Sequence, residues 1–340
     1  MTIRDVAKSS GVSIATVSRV INGSAKVSPQ VKLAVEQAMR ELNYQKPQAK
    51  RRKPTKLFAV IVRNMTNPFF AQLLDVLEEE AYKHGRSILL FNSRNNLQLE
   101  KTFLLECENH KVDGVFLIPR SLKEQHLLPM QTLPFPVVLL TTATSMLSSV
   151  ATHHQHGGEL VAKHLFQKGH RRIGYIGTDN RQSDRFIGFK DSLEKHGVEL
   201  RRERVLSPYT EESLQQYIDQ QITHAQSPLS AVFCSDDICA SQLCNGIKQQ
   251  AIHTCPDVEI IGFDDTFIAQ SLGFSSVKQP IKQIALFGFE LMLKKLKHSV
   301  DSDEPDPLEH ILLEPTLMLR SEPSNTMAVR KTEILRPDRG

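Results

Sequence analysis

Two carboxylate pairs each follow a short apolar run: Asp236-Asp237 after Ala-Val-Phe-Cys-Ser, and Asp264-Asp265 after Ile-Ile-Gly-Phe. Placed at strand ends, such pairs can bind a metal, share acid–base work, or hold ligand hydroxyls. Hydroxyl binding asks least of them, since a carboxylate accepts two hydrogen bonds in fixed directions, and the second Asp of each pair also suits a helix cap. Arg185 opens a helix in the polar loop Gln182-Ser183-Asp184-Arg185. Its guanidinium can fork onto ligand oxygens or ring nitrogens, although a surface arginine fits the same spacing. In Arg63-Asn64-Met65-Thr66-Asn67-Pro68-Phe69-Phe70, Asn67 can hydrogen-bond a ligand while Phe69 and Phe70 pack on its flat or apolar face. Asn-Pro is also a turn signal, so a turn followed by core aromatics fits equally well. His153, His154 and His156 stand too close together for all three to turn inward from one regular element, so no metal is expected there. There is no phosphate-cradling Gly-Lys-Ser/Thr loop, no Gly-x-Ser-x-Gly elbow and no zinc-protease motif. Neither an enzyme nor a cofactor is expected.

These residues need strands to present them. From Leu57 the chain reads as short apolar strands, at residues 57–62, 87–92, 114–118 and 137–140, alternating with amphipathic helices, the clearest at 70–84 and 97–111. A second series places strands at 172–176, 204–206, 231–234 and 260–263 among helices near 158–168, 185–196, 212–223 and 237–250. Repeated strand-helix-strand order implies parallel sheets with right-handed crossovers, hence an α/β core of two doubly wound lobes. Ligands bind such lobes where loops leave the carboxyl ends of strands, which is where the residues above fall.

The first 44 residues follow a different rule. Thr2 caps a helix whose third position is Asp5, and Gly11 supplies the left-handed residue that ends it. Ser13 caps a second helix, with Val12 and Val17 at the spacing of a hydrophobic staple. Val17, Val20 and Ile21 form its inward stripe, leaving Ile14, Ala15, Ser18 and Arg19 on the outer side as candidate DNA-facing residues. Val27-Ser28-Pro29 starts a third helix, whose apolar face runs from Val31 to Leu42. Residues 45–56 contain six basic residues and two prolines without a large apolar side chain, and read as a basic hinge or linker suited to phosphates.

Charge supports that division. Residues 1–56 hold 12 Lys+Arg against 3 Asp+Glu, while the remainder holds 30 against 35. A small basic unit beside a mildly acidic large one points to a polyanion bound by the first, and nucleic acid fits best. The five cysteines, at 107, 234, 239, 244 and 255, are odd in number, lack zinc-type spacing and read as reduced, buried thiols. No apolar run approaches the roughly 20 residues of a membrane span, and the N-terminus has no signal-peptide apolar region. A cytoplasmic protein without a membrane partner is expected.

Taken together, the chain resembles the lactose-repressor (LacI/GalR) family of bacterial transcription regulators over about residues 2–321. The headpiece carries the resemblance in Asp5-Val6-Ala7, Gly11-Val12-Ser13, Thr16-Val17-Ser18-Arg19-Val20-Ile21-Asn22, Val27-Ser28 and Leu42-Asn43-Tyr44. The core carries it in Asn67-Pro68-Phe69-Phe70, Lys168-Gly169-His170-Arg171-Arg172-Ile173, Gly262-Phe263-Asp264-Asp265, Gln279-Pro280 and Leu319-Arg320-Ser321. The resemblance implies a helix-turn-helix headpiece (1–44), a linker (45–56) and a two-lobed periplasmic-binding-protein-like core (57–321), with lobe crossings near 152, 282 and 313. It implies a homodimer on near-palindromic double-stranded operator DNA, a repressor whose small-molecule effector lies between the lobes. In that family Ile14 and Ala15 choose bases, Arg19 reaches a base edge, and Thr16 and Ser18 favour phosphates. Asn22, Lys50, Arg51 and Arg52 complete the DNA-facing set. The effector positions are Asn67, Phe69, Phe70, Arg185, Asp236 and Asp264.

The departures are specific. The family hinge reads Asn-x-x-Ala-Arg-x-Leu, its leucine wedging into the minor groove. Here that leucine is missing and Lys50-Arg51-Arg52 follows Ala49. Either arginine takes the wedge's place or the hinge is not helical. The family's Asp-Asn at the crossover is His153-His154, its strand-end Asp is Thr141, and its Asn-Asp is Asp236-Asp237. An unusual effector pocket follows. Residues 322–340 show no apolar heptad, so a flexible tail without a tetramerising coiled coil is expected.

Overall fold

A computed structural model describes the chain except residues 1, 22–26, 43, 45–53, 178–182, 251–256, 302–306 and 321–340. Most of the linker and the whole expected tail lie outside the described residues, as do Asn22, Lys50, Arg51, Arg52 and Cys255. The headpiece is three helices: α1 (Ile3–Ser10), α2 (Ile14–Ile21) and α3 (Pro29–Glu41). Val6, Val17 and Val35 are fully buried where they meet, and Tyr44 closes the small core.

The N-lobe builds β1 (Leu57–Val62), α4 (Pro68–Lys83), β2 (Ser87–Asn92), α5 (Leu97–Asn109), β3 (Gly114–Leu117), α6 (Glu124–Leu127), β4 (Val137–Thr141) and β5 (Ser149–Thr152). The C-lobe takes over with α7 (His154–Gln167), β6 (Ile173–Ile176), α8 (Asp184–Lys195), β7 (Val205–Leu206), α9 (Glu211–Ile218), β8 (Ala231–Cys234), α10 (Asp237–Gln250), β9 (Glu259–Asp264), α11 (Phe267–Leu272) and β10 (Ser275–Lys278). The chain then returns to the N-lobe for α12 (Ile281–Asp301) and β11 (His310–Leu313), and ends in the C-lobe with β12 (Thr316–Met318). Among the described residues, one compact unit lies within 1–153 and 279–315, and the other within 154–278 and 316–320.

Each lobe is a six-stranded sheet, β11-β5-β4-β3-β1-β2 and β12-β10-β9-β8-β6-β7. Every pairing is parallel except β10 with β12. That exception departs from the all-parallel expectation, because β12 enters the sheet as a returning edge strand without a crossover helix. Period-two alternation explains the double layer. On β1, Phe58, Val60 and Val62 face α4 and α12, whereas Ala59 and Ile61 face the α5 side. Edge-to-face contacts of Phe58 with Phe116 and Phe289, at 5.5 and 5.6 Å between centroids, tie α12 into the N-lobe. On β8, Val232 and Cys234 join one C-lobe layer, and Ala231 and Phe233 the other.

Two glycines set the packing of α7 on α8. A Cβ at Gly188 would collide with the Gln155 carbonyl, and one at Gly158 with the Arg185 carbonyl, so the two helices touch backbone to backbone. Where the linker enters the N-lobe, the Asp113 carboxylate accepts from the amides of Thr55 (2.9 Å) and Lys56 (3.0 Å) and pairs with Arg86 (2.6 Å). The cysteines at 107, 234 and 239 are buried, and burial pushes the Cys107 thiol up to about 12, so it is protonated and inert.

Candidate functional site

The first two headpiece helices carry the end-groups that their sequence specifies. The Asp5 carboxylate accepts from the Thr2 amide (2.7 Å) and hydroxyl (3.0 Å), bonds that hold it below the usual carboxylate range. Gly11 ends α1 with φ of 69°. The Ser13 hydroxyl accepts from the Thr16 amide at 3.1 Å and lies 2.9 Å from the Thr16 hydroxyl. Val17 at 0% exposure pins α2 to its neighbours, leaving Ile14 and Arg19 exposed and Ala15 half-buried. Ser18 differs from expectation. It points away from the headpiece core yet is only 3% exposed, because its hydroxyl is covered by Gln131 of the N-lobe, to which it donates. Arg19 meets Glu124 nearby at 3.2 Å, in a pair exposed on both sides.

At the carboxyl edge of the C-lobe sheet, the expected residues converge. Arg185 lies in the first turn of α8, behind the Ser183 cap. Its guanidinium donates to the Ser235 carbonyl (2.5 Å) and to His154 Nδ1 (3.2 Å), lies 3.6 Å from Asp264 Oδ1, and stacks 3.8 Å from the Phe263 ring centroid. Asp264 is 3% exposed, on a backbone with φ of 106° that breaks the strand and turns its carboxylate at the sheet edge.

The capping role falls to the first Asp of its pair, not the second: Asp236 Oδ1 accepts from the Cys239 amide at 2.8 Å. Asp237 is instead the hub of the edge. It accepts from the Thr266 amide (2.6 Å), the Thr266 hydroxyl (2.8 Å) and the Ser276 hydroxyl (2.6 Å). Burial, then the neighbouring Asp264 charge, pushes its carboxyl up to about 7. Asp265 pairs with Arg320 at 2.5 Å.

On the N-lobe, Asn67 caps α4, its Oδ1 accepting from the Phe69 amide at 2.9 Å. Phe69 and Phe70 are 2% and 5% exposed, packed edge-to-face at 5.2 Å in the core layer under α4. These contacts fit a turn followed by core aromatics. The histidines take separate partners: His153 meets Glu314 (3.2 Å), His154 meets Arg185, and His156 meets Glu159 (3.3 Å). Sequence reading did not single out Asp237 as a hub, or His154 and Phe263 as the supports of Arg185. Position at or beside a strand end was the available signal for Phe263 and Asp237.

Residues 2–47 match the family model for bacterial regulatory proteins of the lacI family, and residues 162–321 match a periplasmic binding protein-like domain. The HTH-type transcriptional repressor PurR of Yersinia enterocolitica serotype O:8 is 30% identical over 309 residues, covering 87% of this chain and 90% of the relative. The chain belongs to the LacI family. PurR of Photobacterium profundum is 28% identical over 310 residues, covering 87% of this chain and 92% of that one. Among solved structures, the transcriptional regulator CelR in complex with cellobiose matches with a TM-score of 0.65 and 25% identity, over 94% of this chain and 99% of that one. A LacI transcriptional regulator from Alkaliphilus metalliredigens with bound D-xylulofuranose gives 0.65 and 25% over 78% and 98%. The relatives of this LacI-family chain are transcriptional repressors, not enzymes, and its function is accordingly that of a DNA-binding transcriptional regulator of the repressor type. No described helix is long and apolar enough to cross a membrane.

Proposed function

We propose that the chain acts in the cytoplasm as a homodimeric repressor, its headpieces on the two halves of a palindromic operator and a small polar metabolite, a sugar or nucleoside, as effector. The observation that carries the DNA reading is α2 itself: Val17 is fully buried while Ile14 and Arg19 on the same helix are exposed. Arg19 has the donors to fork onto a guanine edge, and Ile14 with Ala15 offers shape and contact with thymine methyl groups. Thr16 and Ser18 supply hydroxyls for phosphates, with Asn22 and Lys50, Arg51 and Arg52 of the linker adding polar and charged contacts.

Asn67, Phe69, Phe70, Arg185, Asp236 and Asp264 form the proposed effector set within the two-lobed core of residues 57–321. The preorganised Arg185, held between a carbonyl, an imidazole and a ring, supports that assignment because a guanidinium already in place spends little entropy on binding. Footprinting on the protein's own upstream region tests the proposal. A protected palindrome is expected at physiological salt, and its absence with and without sugars and nucleosides refutes operator binding. Replacing Lys50, Arg51, Arg52 and Lys53 by alanine should flatten the salt dependence of binding more than it alters operator choice.

A further inference from the structure

The carboxyl edge of the N-lobe sheet is charged in a way that no expected effector residue explains. Its strand-end loops, residues 63–67, 92–96, 118–123 and 141–148, contain Arg63, Arg94, Arg120 and Lys123 and not one Asp or Glu. The three arginines follow β1, β2 and β3, which are neighbours in the order β3-β1-β2. Strands about 4.8 Å apart bring three adjoining strand ends within about 10 Å of one another.

Hydrogen bonds fasten the loops together. The Asn95 amide donates to the Arg63 carbonyl at 2.7 Å, and Arg120 Nε donates to the Asn95 carbonyl at 3.2 Å. The Arg94 amide donates to Asn92 Oδ1 at 3.1 Å, and Arg94 and Asn95 both take left-handed backbone, with φ of 51° and 57°. Arg63 also sits 5.9 Å from the Phe70 ring, which places one of these cations beside the expected effector aromatics.

Little opposes this charge. Neither Arg94 nor Arg120 has a carboxylate partner among the described residues. Glu100 follows on α5 but is fully buried, accepting from the Arg120 amide (2.8 Å) and meeting His126 Nε2 (2.5 Å), so it faces inward. Glu314 is engaged with His153, and Glu124 with Arg19. The starts of α4 and α5, immediately after two of these loops, add the positive ends of their dipoles. At the end of β4, Thr142 Oγ1 is shielded from solvent without a hydrogen-bond partner.

Resting on the effector reading above, we propose that the effector carries an anionic group, a phosphate or a carboxylate, and that Arg94 and Arg120 of the N-lobe edge recognise it with Arg63 alongside. A neutral sugar or nucleoside brings Arg94 and Arg120 no anionic partner. A phosphorylated sugar or a sugar acid supplies the negative charge that these N-lobe loops lack. Guanidinium forks match both anions, and charge-assisted bonds of this type are the strong ones.

The test is thermal shift followed by calorimetric titration of the full-length protein in physiological chloride. The probes are glucose 6-phosphate, fructose 1-phosphate, ribose 5-phosphate, AMP, gluconate and galacturonate, with inorganic phosphate, glucose, fructose, ribose and adenosine alongside. At least one phosphorylated compound or sugar acid should stabilise the protein while its neutral parent does not, and comparing the two sets tells phosphate from carboxylate. Arg94→Ala and Arg120→Ala should each weaken that binding by about tenfold to a hundredfold, with Arg120→Lys intermediate. Both side chains are exposed, so unliganded melting temperatures should hold and separate lost binding from lost folding. Binding of only neutral compounds, unaltered in the alanine variants, overturns the anionic effector and leaves the effector-controlled repressor standing. A response to inorganic phosphate alone, or to nothing, also overturns it, and silence across the panel counts against the effector reading as well. Loss of operator binding in the footprint, with anion binding intact, strikes the repressor reading alone.

Discussion

The two sheet edges are built from the same kind of loop and handle charge in opposite ways. On the C-lobe edge, Arg185 lies near Asp264, Arg320 pairs with Asp265, and Asp237 takes three donors, all within the lobe. On the N-lobe, Arg94 and Arg120 are exposed with no carboxylate in their loops. A self-neutralised edge is stiff before ligand arrives and contributes geometry. An unneutralised edge is held by backbone hydrogen bonds and contributes attraction, which salt screens.

Mutation can break that contrast, most forcefully on the C-lobe. Arg185→Ala strips the buried Asp264 of a half-buried cation and is expected to cost up to about 3 kcal/mol in urea unfolding. A loss under about 1 kcal/mol would mean that water or other groups already compensate the carboxylate, and that the C-lobe edge is no more self-contained than the other.

The next effect depends on pH. The Asp237 carboxyl is raised from 3.8 to about 7, so between those values the folded chain keeps a proton that the unfolded chain has released. Its contribution to stability is therefore present at low pH and lost as pH rises through that window, by up to about 1.4 kcal/mol per unit. Asp237→Asn removes the titration. The melting temperature of the natural protein minus that of the variant should fall between pH 5 and 7.5. A flat difference would show that Thr266 and Ser276 keep the carboxylate ionised throughout.

Smaller effects are expected where charges are exposed. Glu124→Ala frees Arg19 from a solvent-exposed pair worth under about 1 kcal/mol, so operator affinity should rise by less than about fivefold. A larger gain in a binding titration would make that contact a real competitor of DNA. Smallest of all, Arg120→Ala should leave unfolding free energy within about 0.5 kcal/mol of the natural protein. A larger loss would mean that its bond to Asn95 carries the loop, and that the N-lobe edge too is structural.

Much of this architecture was legible because alternation and helical spacing are local signals. Leu57–Val62, Ser87–Asn92 and Ala231–Cys234 form strands over the residues that their apolar runs indicate. β5 and β10 escaped because Ser149–Thr152 and Ser275–Lys278 read as polar. Ser276 is fully buried only because its hydroxyl finds Asp237, 39 residues away in the chain. Nothing physical hid α12, whose Ile284, Ala285, Phe289 and Met292 recur at helical spacing and are buried. At the site, residue types marked Arg185 and the Asp pairs, but not their partners. The bond from Arg185 to His154 spans 31 positions, and no periodicity encodes it. The same limit explains why Asp236 and Asp237 exchange the roles that their order suggested, since which carboxylate caps depends on where β8 hands over to α10.

The close approach of α7 and α8 bears on how such a site can diversify. Gly158 lies against the Arg185 carbonyl and Gly188 against that of Gln155, so any side chain at either glycine would wedge the helices apart and carry His154 away from Arg185. Descendants of this chain can exchange the residues at positions 154 and 185 to suit new ligands. They cannot vary the spacing between them, which makes this helix pair a ruler of fixed length within a lineage free to change what it measures.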